Sequence, residues 1–449
     1  MTATPTRIVI LGGGFGGLAV AQELERLLDG KANVEITLVN RDNFFLFTPM
    51  LHEVAASDLD IATIVNPLRK MVRRTSIFVG SVEHIDVENR SVTVSHASGL
   101  HSHELRYDHL VIALGAITNF YAIPGLAERA ITMKSLGDAM QLRDQLIQCL
   151  EEADFECNAV VRAPLLTFVV AGGGFAGVET VAAANDFLRE AVRFYPNLSG
   201  RDIRVVVVHP GPYLLPELGE TLGRYSQERL GERGVEILLN TRVSGIDGDT
   251  VILSSGQRID ARTVVWTAGT SANPLLESLP CAKERGRIRV TEHLQVPEWP
   301  SVWAVGDCAL IPDSATGAYY PPTAQHALRE GKQAAHNIVA TMRGLPKSPF
   351  TFSTIGLLAA IGRRTGVANV FGVNFSGFVA WWLWRTIYLA KLPRLEKKVR
   401  AALDWTLDIV FSKDLVQFGT GRRVFPATRE HAEHLPMHAP GTISSDARI

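Results

Sequence analysis

The chain has 449 residues, which is enough for roughly two to four domains of ordinary size. Hydrophobic residues make up 46% and charged residues 20%, a composition that supplies a large core and excludes wholesale disorder. The 45 Lys and Arg residues balance 46 Asp and Glu residues, so the chain lacks the basic excess of nucleic-acid-binding proteins. The four cysteines show no CxxC or other metal-ligand spacing. We therefore expect no nucleic-acid partner, no metal site and no disulfide-stapled secreted scaffold.

The first predicted element is an apolar strand that begins at Arg7 and runs into a glycine-rich turn. The turn has the spacing GxGxxG, with Gly12, Gly14 and Gly17 as its glycines, and a helix-forming sequence follows it. In this pattern the first glycine allows a tight turn, the second lets the backbone approach a pyrophosphate, and the third lets the helix pack on the strand. The residues before Arg7 lack the pattern of an export signal, so we predict no export.

The next strand, residues 34–40, ends at Asn40. An acidic residue is the usual partner of a ribose 2′-hydroxyl at this position. An asparagine side chain also binds a hydroxyl group, but more weakly than a carboxylate does. We interpret Asn40 as a weaker contact of this kind.

The same strand–turn–helix pattern recurs about 160 residues later, at Gly172, Gly174 and Gly177. One such turn can arise from packing alone, whereas two copies favour two dinucleotide sites. The strand that follows the second turn ends at His209, so no carboxylate would repel a 2′-phosphate. This leaves NADPH open beside NADH as the second dinucleotide, and a solvated strand-end histidine is the alternative interpretation of His209.

A third element delivers Gly306 and Asp307 from the end of an apolar strand. In a protein with two dinucleotide sites, such a carboxylate typically accepts hydrogen bonds from the ribityl hydroxyls of FAD, although Asp also serves as a helix N-cap. Two further strand ends, at Gly115 and Gly269, are predicted to mark crossovers between domains.

Together these motifs resemble the two-dinucleotide-binding flavoproteins, and among them the type II NADH:quinone oxidoreductases. The similarity runs from Arg7 to about Phe418. It includes the segment Asn43-Phe-Phe-Leu-Phe-Thr-Pro49 beside the flavin, Glu179 near the nicotinamide, an Ala-Gln motif at Ala324 and Gln325, and the segments at Lys391 and Trp405. Arg329 departs from the family, which commonly has a second Gln there.

The resemblance implies FAD and NADH as cofactors, a membrane quinone as acceptor and a homodimer. It implies catalytic roles for Glu179, Gln325 and Lys391. The implied cofactor contacts outside the glycine triplets are Phe15, Gly16, Asn40, Arg41, Pro49, Val82, Ala113, Gly115, His209, Gly269, Gly306, Asp307, Ala324 and Gln325. Disulfide reductases of this fold are excluded because residues 18–148 contain no cysteine, and a sulfide:quinone oxidoreductase is only a remote option because no cysteine follows Cys308.

Each catalytic candidate has a plainer alternative. Glu179 could hold the nicotinamide or relay a proton, or simply favour the dipole of its helix. Gln325 could bind a quinone carbonyl or the flavin edge, or lie on a helix surface. His326, Lys391 or water could supply the protons of the quinol, and the sequence does not choose among them.

The carboxy-terminal part combines aromatic, apolar and basic residues. Residues 375–390 are rich in Trp and Phe but are too short, and carry Arg385, so we predict no spanning segment. In residues 394–411, apolar side chains recur every three or four positions at Leu395, Val399, Leu403, Leu407 and Val410. With nine Lys and Arg against four Asp and Glu over residues 375–425, this pattern favours a helix on a membrane surface. A core helix or a dimer contact is the alternative.

We therefore predict an α/β fold with two Rossmann-like dinucleotide-binding domains. The FAD-binding domain is discontinuous (1–125 and 295–350), the NAD(P)H-binding domain lies between its parts (126–294), and a membrane-surface region (351–425) and a disordered tail (426–449) follow. The predicted function is NAD(P)H:quinone oxidoreduction at the cytoplasmic face of the cell membrane, by a peripheral protein that does not pump protons. A soluble NAD(P)H-dependent reductase with a protein or small-molecule acceptor, and a non-catalytic flavoprotein sensor, remain as alternatives.

Overall fold

The computed structural model describes residues 4–28, 33–96 and 99–419. The predicted disorder of residues 426–449 concerns a segment outside these residues. The α-helices in the described residues are α1 (Phe15–Leu28), α2 (Leu51–Ala55), α3 (Ile61–Ile64), α4 (Leu126–Arg129), α5 (Leu136–Phe155), α6 (Ala159–Leu165), α7 (Phe175–Ala191), α8 (Glu220–Glu232), α9 (Ala324–Met342), α10 (Gly377–Lys391) and α11 (Leu395–Val410).

A parallel five-stranded sheet forms the first nucleotide-binding unit. Its strands are rich in apolar residues, and the first three in spatial order are largely buried on both faces, as parallel strands covered by helices are. In spatial order the strands are Val302–Ala304, His109–Ile112, Thr6–Leu11, Val34–Asn40 and Ser76–Val79. Helices α1 and α9 pack against each other beside this sheet.

A second parallel five-stranded sheet forms the other unit. Its strands are, in spatial order, Ile131–Thr132, Thr263–Trp266, Thr167–Ala171, Arg204–Val208 and Val235–Leu238. The central strand enters the second glycine-rich turn and continues into α7, as the central strand of the first sheet enters the first turn and α1.

Smaller antiparallel sheets complete the two units. An antiparallel pair, Ala116–Thr118 with Thr270–Ala272, lies at the predicted crossovers. The other small sheets are Phe44–Leu46 with Val65–Pro67; Ser81–Asp86, Ser91–His96 and His101–Arg106; Val243–Asp247, Thr250–Leu253 and Arg258–Asp260; and Lys283–Glu284, Arg287–Arg289 and Ala309–Leu310, the last two strands of which pair in parallel.

The carboxy-terminal part consists of a three-stranded antiparallel sheet followed by α10 and α11. The strands are Gly356–Ala360, Gly366–Val370 and Val373–Ser376. Among the described residues, no helix combines the length and apolar character needed to cross a bilayer. The α/β class predicted from the sequence is confirmed, while the exact domain bounds remain a prediction.

Candidate active site

The first glycine-rich turn is shaped to receive a phosphate group. Gly12 has φ +101°, and a Cβ atom there would overlap the carbonyl oxygen of Ala113. A Cβ at Gly17 would overlap the carbonyl oxygen of Gly12, so α1 packs on the turn only because this residue is glycine. A Cβ at Gly14, in contrast, would meet no described atom within 4 Å. The turn is closed on the protein side and open on the side where the pyrophosphate of FAD would approach, so the residues present fit that cofactor.

Asn40 binds the turn itself. Its Oδ1 accepts the backbone N–H of Gly13 at 2.8 Å, and its Nδ2 donates to the carbonyl oxygen of Asp42 at 2.8 Å. These bonds fix the orientation of the amide, so that Asn40 shapes the turn. Its contact with a ribose, predicted from the sequence, remains a prediction.

His209 takes the same position beside the second turn. Its Nδ1 lies 3.1 Å from the backbone N–H of Gly173 and accepts its hydrogen bond, as Asn40 does for Gly13. The side chain is buried, so the alternative of a solvated histidine is wrong. Burial lowers the pKa of His209, and its ring is therefore neutral at pH 7. A neutral ring offers no positive charge to the 2′-phosphate of NADPH.

Asp307 lies where the strand Val302–Ala304 ends, within the short 3-10 turn Gly306–Cys308 rather than at its N-cap. The N-cap alternative is therefore wrong. Burial raises the pKa of Asp307, and nearby Lys134 and Arg287 oppose that shift. The N–H of Gly306 donates to the carboxylate of Glu330 at 2.7 Å, which anchors this turn to α9.

Most of the other predicted flavin contacts lie around the carboxyl end of the first sheet. The ring of Phe15 contacts Phe45 and Phe47, with centroids 4.9 and 5.9 Å apart. A Cβ at Gly16 would lie 3.0 Å from Val305, so α1 approaches the strand end closely there. The remaining positions are Ala113 and Gly115 after the strand His109–Ile112, Pro49 in the 3-10 turn Thr48–Met50, and Ala324 at the start of α9.

Three predicted cofactor contacts, Arg41, Val82 and Gly269, lie outside this cluster at the carboxyl end of the first sheet. Arg41 follows Asn40 and is exposed. Val82 lies two residues after Gly80, whose N–H donates to the Asn40 carbonyl oxygen at 2.9 Å. Gly269 lies at the crossover, where a Cβ would crowd the ring of Tyr121, and is two residues beyond Thr267, which faces Gly172. The first two are thus near the flavin-side turn, and Gly269 is on the side of the second turn.

Glu179 belongs to α7, and its side chain is buried against the carboxy-terminal part. Its Oε1 accepts hydrogen bonds from the indole N–H of Trp384 at 3.1 Å and from the backbone N–H of Ala360 at 3.2 Å. Its Oε2 lies 3.7 Å from Nδ1 of His52, a ring that burial holds neutral by lowering its pKa to about 3. Burial raises the pKa of Glu179 to about 8, with a further contribution from Glu53. With this pKa the carboxyl group is mostly protonated at pH 7 and can hold and release a proton. Glu179 is buried and lies beyond the first turn of α7, so the alternative of a first-turn glutamate that favours the helix dipole is wrong.

The quinone-side candidates converge from α9 and α10. Gln325 is partly buried in the first turn of α9, and its Nε2 lies 3.5 Å from the carbonyl oxygen of Gly356. At the end of α10, the ammonium group of Lys391 lies 5.7 Å from the ring centroid of Tyr388. Desolvation and the positive charge of Arg329 lower the pKa of Lys391. The guanidinium of Arg329 stacks on Phe352 at 4.0 Å, so two cationic groups face this end of the site.

His326 does not fit the role of proton donor. It is buried, its Nδ1 lies 2.7 Å from the hydroxyl of Thr323, and burial lowers its pKa to about 4. At pH 7 the ring is therefore neutral, and it lacks the second, acidic N–H that a protonated histidine would donate.

Comparison with known proteins finds matches over nearly the whole chain. Residues 6–331 match the pyridine nucleotide-disulphide oxidoreductase family, and residues 355–414 match the NDH2 C-terminal domain. The chain is similar to the type II NADH:quinone oxidoreductase Ndh of Mycobacterium tuberculosis, with 33% identity over 99% of this chain and 97% of the relative. The chain belongs to the type II NADH:quinone oxidoreductase family. The family predicted from the motifs is therefore confirmed.

Other members of the family differ in their named quinones. Demethylphylloquinone reductase NdbB of Synechocystis is 30% identical over 90% of this chain and 96% of that protein. The NDH2 structure from Plasmodium falciparum in complex with NADH has a TM-score of 0.85 at 20% identity, covering 92% of this chain and 99% of that one. This likeness shows a shared fold.

The exposure of the apolar face of α11 tests the alternative that this helix belongs to the protein core. Leu395, Val399, Leu403, Leu407 and Val410 are 77, 52, 57, 52 and 74% exposed. The residues of α11 that face the protein are instead Lys397, Ala401 and Trp405. A core helix is therefore excluded, and a membrane surface or a partner subunit remains for the apolar face.

Sequence reasoning missed the partners of Glu179. Trp384 lies in the aromatic segment of residues 375–390, and no motif marks His52 or Ala360. No motif marks Glu53 either, a second buried carboxyl group four residues after Pro49. No spacing in the sequence links these positions, because they meet only through the tertiary fold.

Proposed function

We propose that this chain is an FAD-dependent NADH:quinone oxidoreductase that transfers a hydride from NADH to FAD and then two electrons to a membrane quinone, without pumping protons. The observation that carries this proposal is the contact between Glu179 and Trp384. Glu179 lies in the helix that opens at the second glycine-rich turn, and Trp384 lies in α10, beside the quinone-side candidates. This contact joins the helix of the proposed nucleotide site to the helix beside the proposed acceptor site, which supports electron transfer between them.

The two glycine-rich turns hold the two dinucleotides in this proposal. The first turn and Asp307 bind FAD, which when bound supplies the two-electron chemistry. The second turn binds NADH through its backbone N–H groups and the start of α7. Because His209 is neutral and bound to Gly173, we propose NADH as the preferred donor.

Gln325 and Lys391 position the acceptor. The amide of Gln325 has both a donor and an acceptor for a quinone carbonyl. The ammonium of Lys391 favours negative charge on a quinone oxygen, and its lowered pKa makes proton donation easier. Arg329, at the position where relatives commonly carry Gln, adds a second positive charge to this end of the site.

The exposed apolar faces of α10 and α11 form the proposed membrane-binding surface. Phe378, Val379 and Trp382 of α10 are 58, 54 and 54% exposed and accompany the apolar face of α11. An amphipathic helix with a basic flank binds in the headgroup region of a bilayer. We propose that the protein lies peripherally on the cytoplasmic face of the cell membrane, where NADH is available, and works as a homodimer.

Anaerobic stopped-flow spectroscopy of the flavin-loaded protein tests this function. We expect NADH to bleach the flavin absorbance faster than NADPH, and a short-chain quinone to restore it rapidly. Bleaching without reoxidation by quinone would favour a soluble reductase with another acceptor. Flavin that stays oxidised after addition of either nucleotide would favour a non-catalytic sensor. A protein that binds no flavin would contradict the roles of Gly12 and Asp307.

A further inference from the structure

Two buried carboxyl groups each receive a hydrogen bond from a tryptophan of the carboxy-terminal helices. Trp384 donates to Glu179 at 3.1 Å, and Trp405 donates to Glu53 at 2.8 Å. The two indole rings lie 6.4 Å apart. Glu53 and Glu179 are 6 and 8% exposed and come from α2 and α7, so elements from both nucleotide-binding units and the carboxy-terminal part meet at this pair.

A cavity of about 450 Å³ lies along both carboxyl groups. Its inner wall includes Glu53, Glu179 and His52, whose Nε2 is buried and has no hydrogen-bond partner within the described residues. Its outer wall reaches Val410 and Phe411, which are 74 and 64% exposed. A cavity of this size with polar walls has room for several hydrogen-bonded water molecules. It therefore connects the carboxyl pair with the surface.

Acidic and basic groups nearly balance around the cavity, so its charge favours neither a bound anion nor a bound cation. Besides Glu53 and Glu179, the charged and titratable groups that line it are His52, Asp58, Asp186, Arg189, Glu190, Arg193, Arg363, Arg385, Asp408 and Lys413. Burial and the charge of Asp58 raise the pKa of Glu53 to about 8, against the opposing effects of Arg385, the Trp405 hydrogen bond and Lys413. Two like-charged carboxylates in one buried site resist ionising together, so the pair keeps at least one proton near neutral pH.

The proposed reaction consumes one proton per turnover. In the balanced equation, NADH, one H⁺ and quinone give NAD⁺ and quinol: NADH supplies two electrons and one proton as a hydride, and the second proton comes from solvent. The indole N–H of Trp384 covers one side of the Glu179 carboxyl group, and the cavity borders the same group. The cavity is therefore a route by which a proton that leaves Glu179 can be replaced from solvent.

We propose that Glu53 is a relay residue that takes a proton from water in this cavity and passes it to Glu179 after each turnover. The inference rests on the proposed function and extends it to a residue outside the nucleotide and quinone candidates. Glu53 acts through Glu179, so it is a positioning and relay group rather than a catalytic residue. The hydrogen bond from Trp405 holds its carboxyl group toward the cavity.

The test compares Glu53→Gln with the wild type as flavin-loaded, full-length protein. Glutamine keeps the shape and still accepts the Trp405 hydrogen bond, but it cannot carry a proton. Infrared spectroscopy follows the C=O stretch of the protonated carboxyl groups between pH 6 and 9. Other buried carboxyl groups contribute to this band, such as Glu330 with a pKa of about 7, so a Glu179→Gln variant identifies the part that belongs to Glu179. We expect that part to disappear at lower pH in Glu53→Gln than in the wild type, because the like-charged neighbour is gone.

Single-turnover kinetics with NADH and a short-chain quinone provide the second readout. We expect the proton-coupled phase of Glu53→Gln to be at least about tenfold slower, and to be restored by a small weak acid that enters the cavity. Glu53→Asp should recover part of the rate. A matched control is Glu25→Gln, whose carboxylate accepts backbone N–H groups of Arg73, Arg74 and Thr75 far from the cavity and should leave the rate unchanged.

The outcomes separate the two proposals. An unchanged rate and pH profile in Glu53→Gln, or a loss that is equal at every pH and insensitive to the weak acid, would overturn the relay. A wild type that reduces no quinone would overturn the proposed function. In that case the infrared titration decides the inference: two uncoupled carboxyl groups would overturn it as well.

Discussion

The indole N–H of Trp384 donates to the carboxylate of Glu179 although 205 positions separate the two residues in the chain. Trp384 is fully buried, and its ring also lies 4.7 Å from Tyr388 and 5.6 Å from His52. One side chain of α10 therefore contacts both α7 of the second unit and α2 of the first unit. The carboxy-terminal part therefore binds directly to Glu179, the residue proposed to act near the nicotinamide.

Replacing Trp384 by Phe should weaken this connection. The variant loses the hydrogen bond to a buried carboxyl group and leaves a small void, so we expect the free energy of unfolding to fall by about 1–3 kcal/mol. Urea denaturation measures the change. Trp382→Phe is the matched control, because Trp382 is 54% exposed, and it should change stability by less than about 0.5 kcal/mol. Equal losses in both variants would mean that the contact with Glu179 contributes nothing.

Glu179 should make stability depend on pH. Its pKa in the folded protein is about 8, above the ordinary 4.5, so the folded state holds the proton more tightly than the unfolded state does. The stabilisation is complete below pH 4.5 and is lost as the pH rises through 8, since deprotonation leaves a buried charge. We expect the free energy of unfolding of the wild type to fall between these pH values and to fall less steeply in Glu179→Gln. The free energy of unfolding is measured by chemical denaturation at pH 5, 7 and 8.5. If it changes with pH by the same amount in the wild type and in Glu179→Gln, the prediction is contradicted.

His209 should keep NADH preference constant with pH. Because burial lowers its pKa below the ordinary value, the ring stays neutral from pH 7 upward and never presents a charge to NADPH. We expect the ratio of kcat/KM for the two nucleotides to be flat between pH 7 and 8.5. His209→Asn should retain the ratio, because Asn40 shows that an amide can anchor this kind of turn, whereas His209→Ala should lose about 1 kcal/mol of stability. A ratio that turns toward NADPH at pH 7 would show a protonated ring.

Lys413 forms a buried ion pair with Asp58 and also donates to the carbonyl oxygen of Ala56 at 3.0 Å. Lys413→Met would leave Asp58 largely buried without its cation, and breaking such a pair costs about 3–5 kcal/mol. Thermal and chemical unfolding measure the loss. Lys332→Met removes an exposed lysine from α9 and should be nearly neutral. The double change of Lys413 and Asp58 to apolar residues should be less harmful than Lys413→Met alone.

The apolar face of α11 should be required for membrane binding but not for folding. Since Val399, Leu403 and Leu407 are more than half exposed, changing all three to Ser should leave the thermal midpoint almost unchanged. We expect flotation with liposomes that contain anionic lipid to fall about tenfold or more. The control changes Phe155, Val160 and Val161 to Ser, three residues on the nucleotide-binding side that are 79, 81 and 51% exposed. Equal flotation of both triple variants with the wild type would contradict a membrane role for α11.

Local motifs made the two nucleotide turns predictable from the sequence. The glycines at 12, 14 and 17 and at 172, 174 and 177 restrict the backbone within a few residues, so their spacing is enough to indicate the structure. The direction of the apolar face of α11 was not predictable, because a periodic stripe looks the same whether it faces a core or a membrane. The partner of Glu179 was also not predictable, since nothing local to Glu179 specifies a tryptophan two hundred residues later.

The distance in sequence between the carboxy-terminal contacts and their partners has a consequence for biosynthesis. Trp384, Trp405 and Lys413 bind residues that left the ribosome 205, 352 and 355 positions earlier. Both nucleotide-binding units can be translated completely before any of these three residues exists. Until then Glu53, Asp58 and Glu179 have polar groups without their final partners, at the place where the cavity will form. We therefore expect the nascent protein to remain incompletely packed around the future cavity, and accessible there to proteases and chaperones. Packing should be completed only after α11 and Lys413 have left the ribosome.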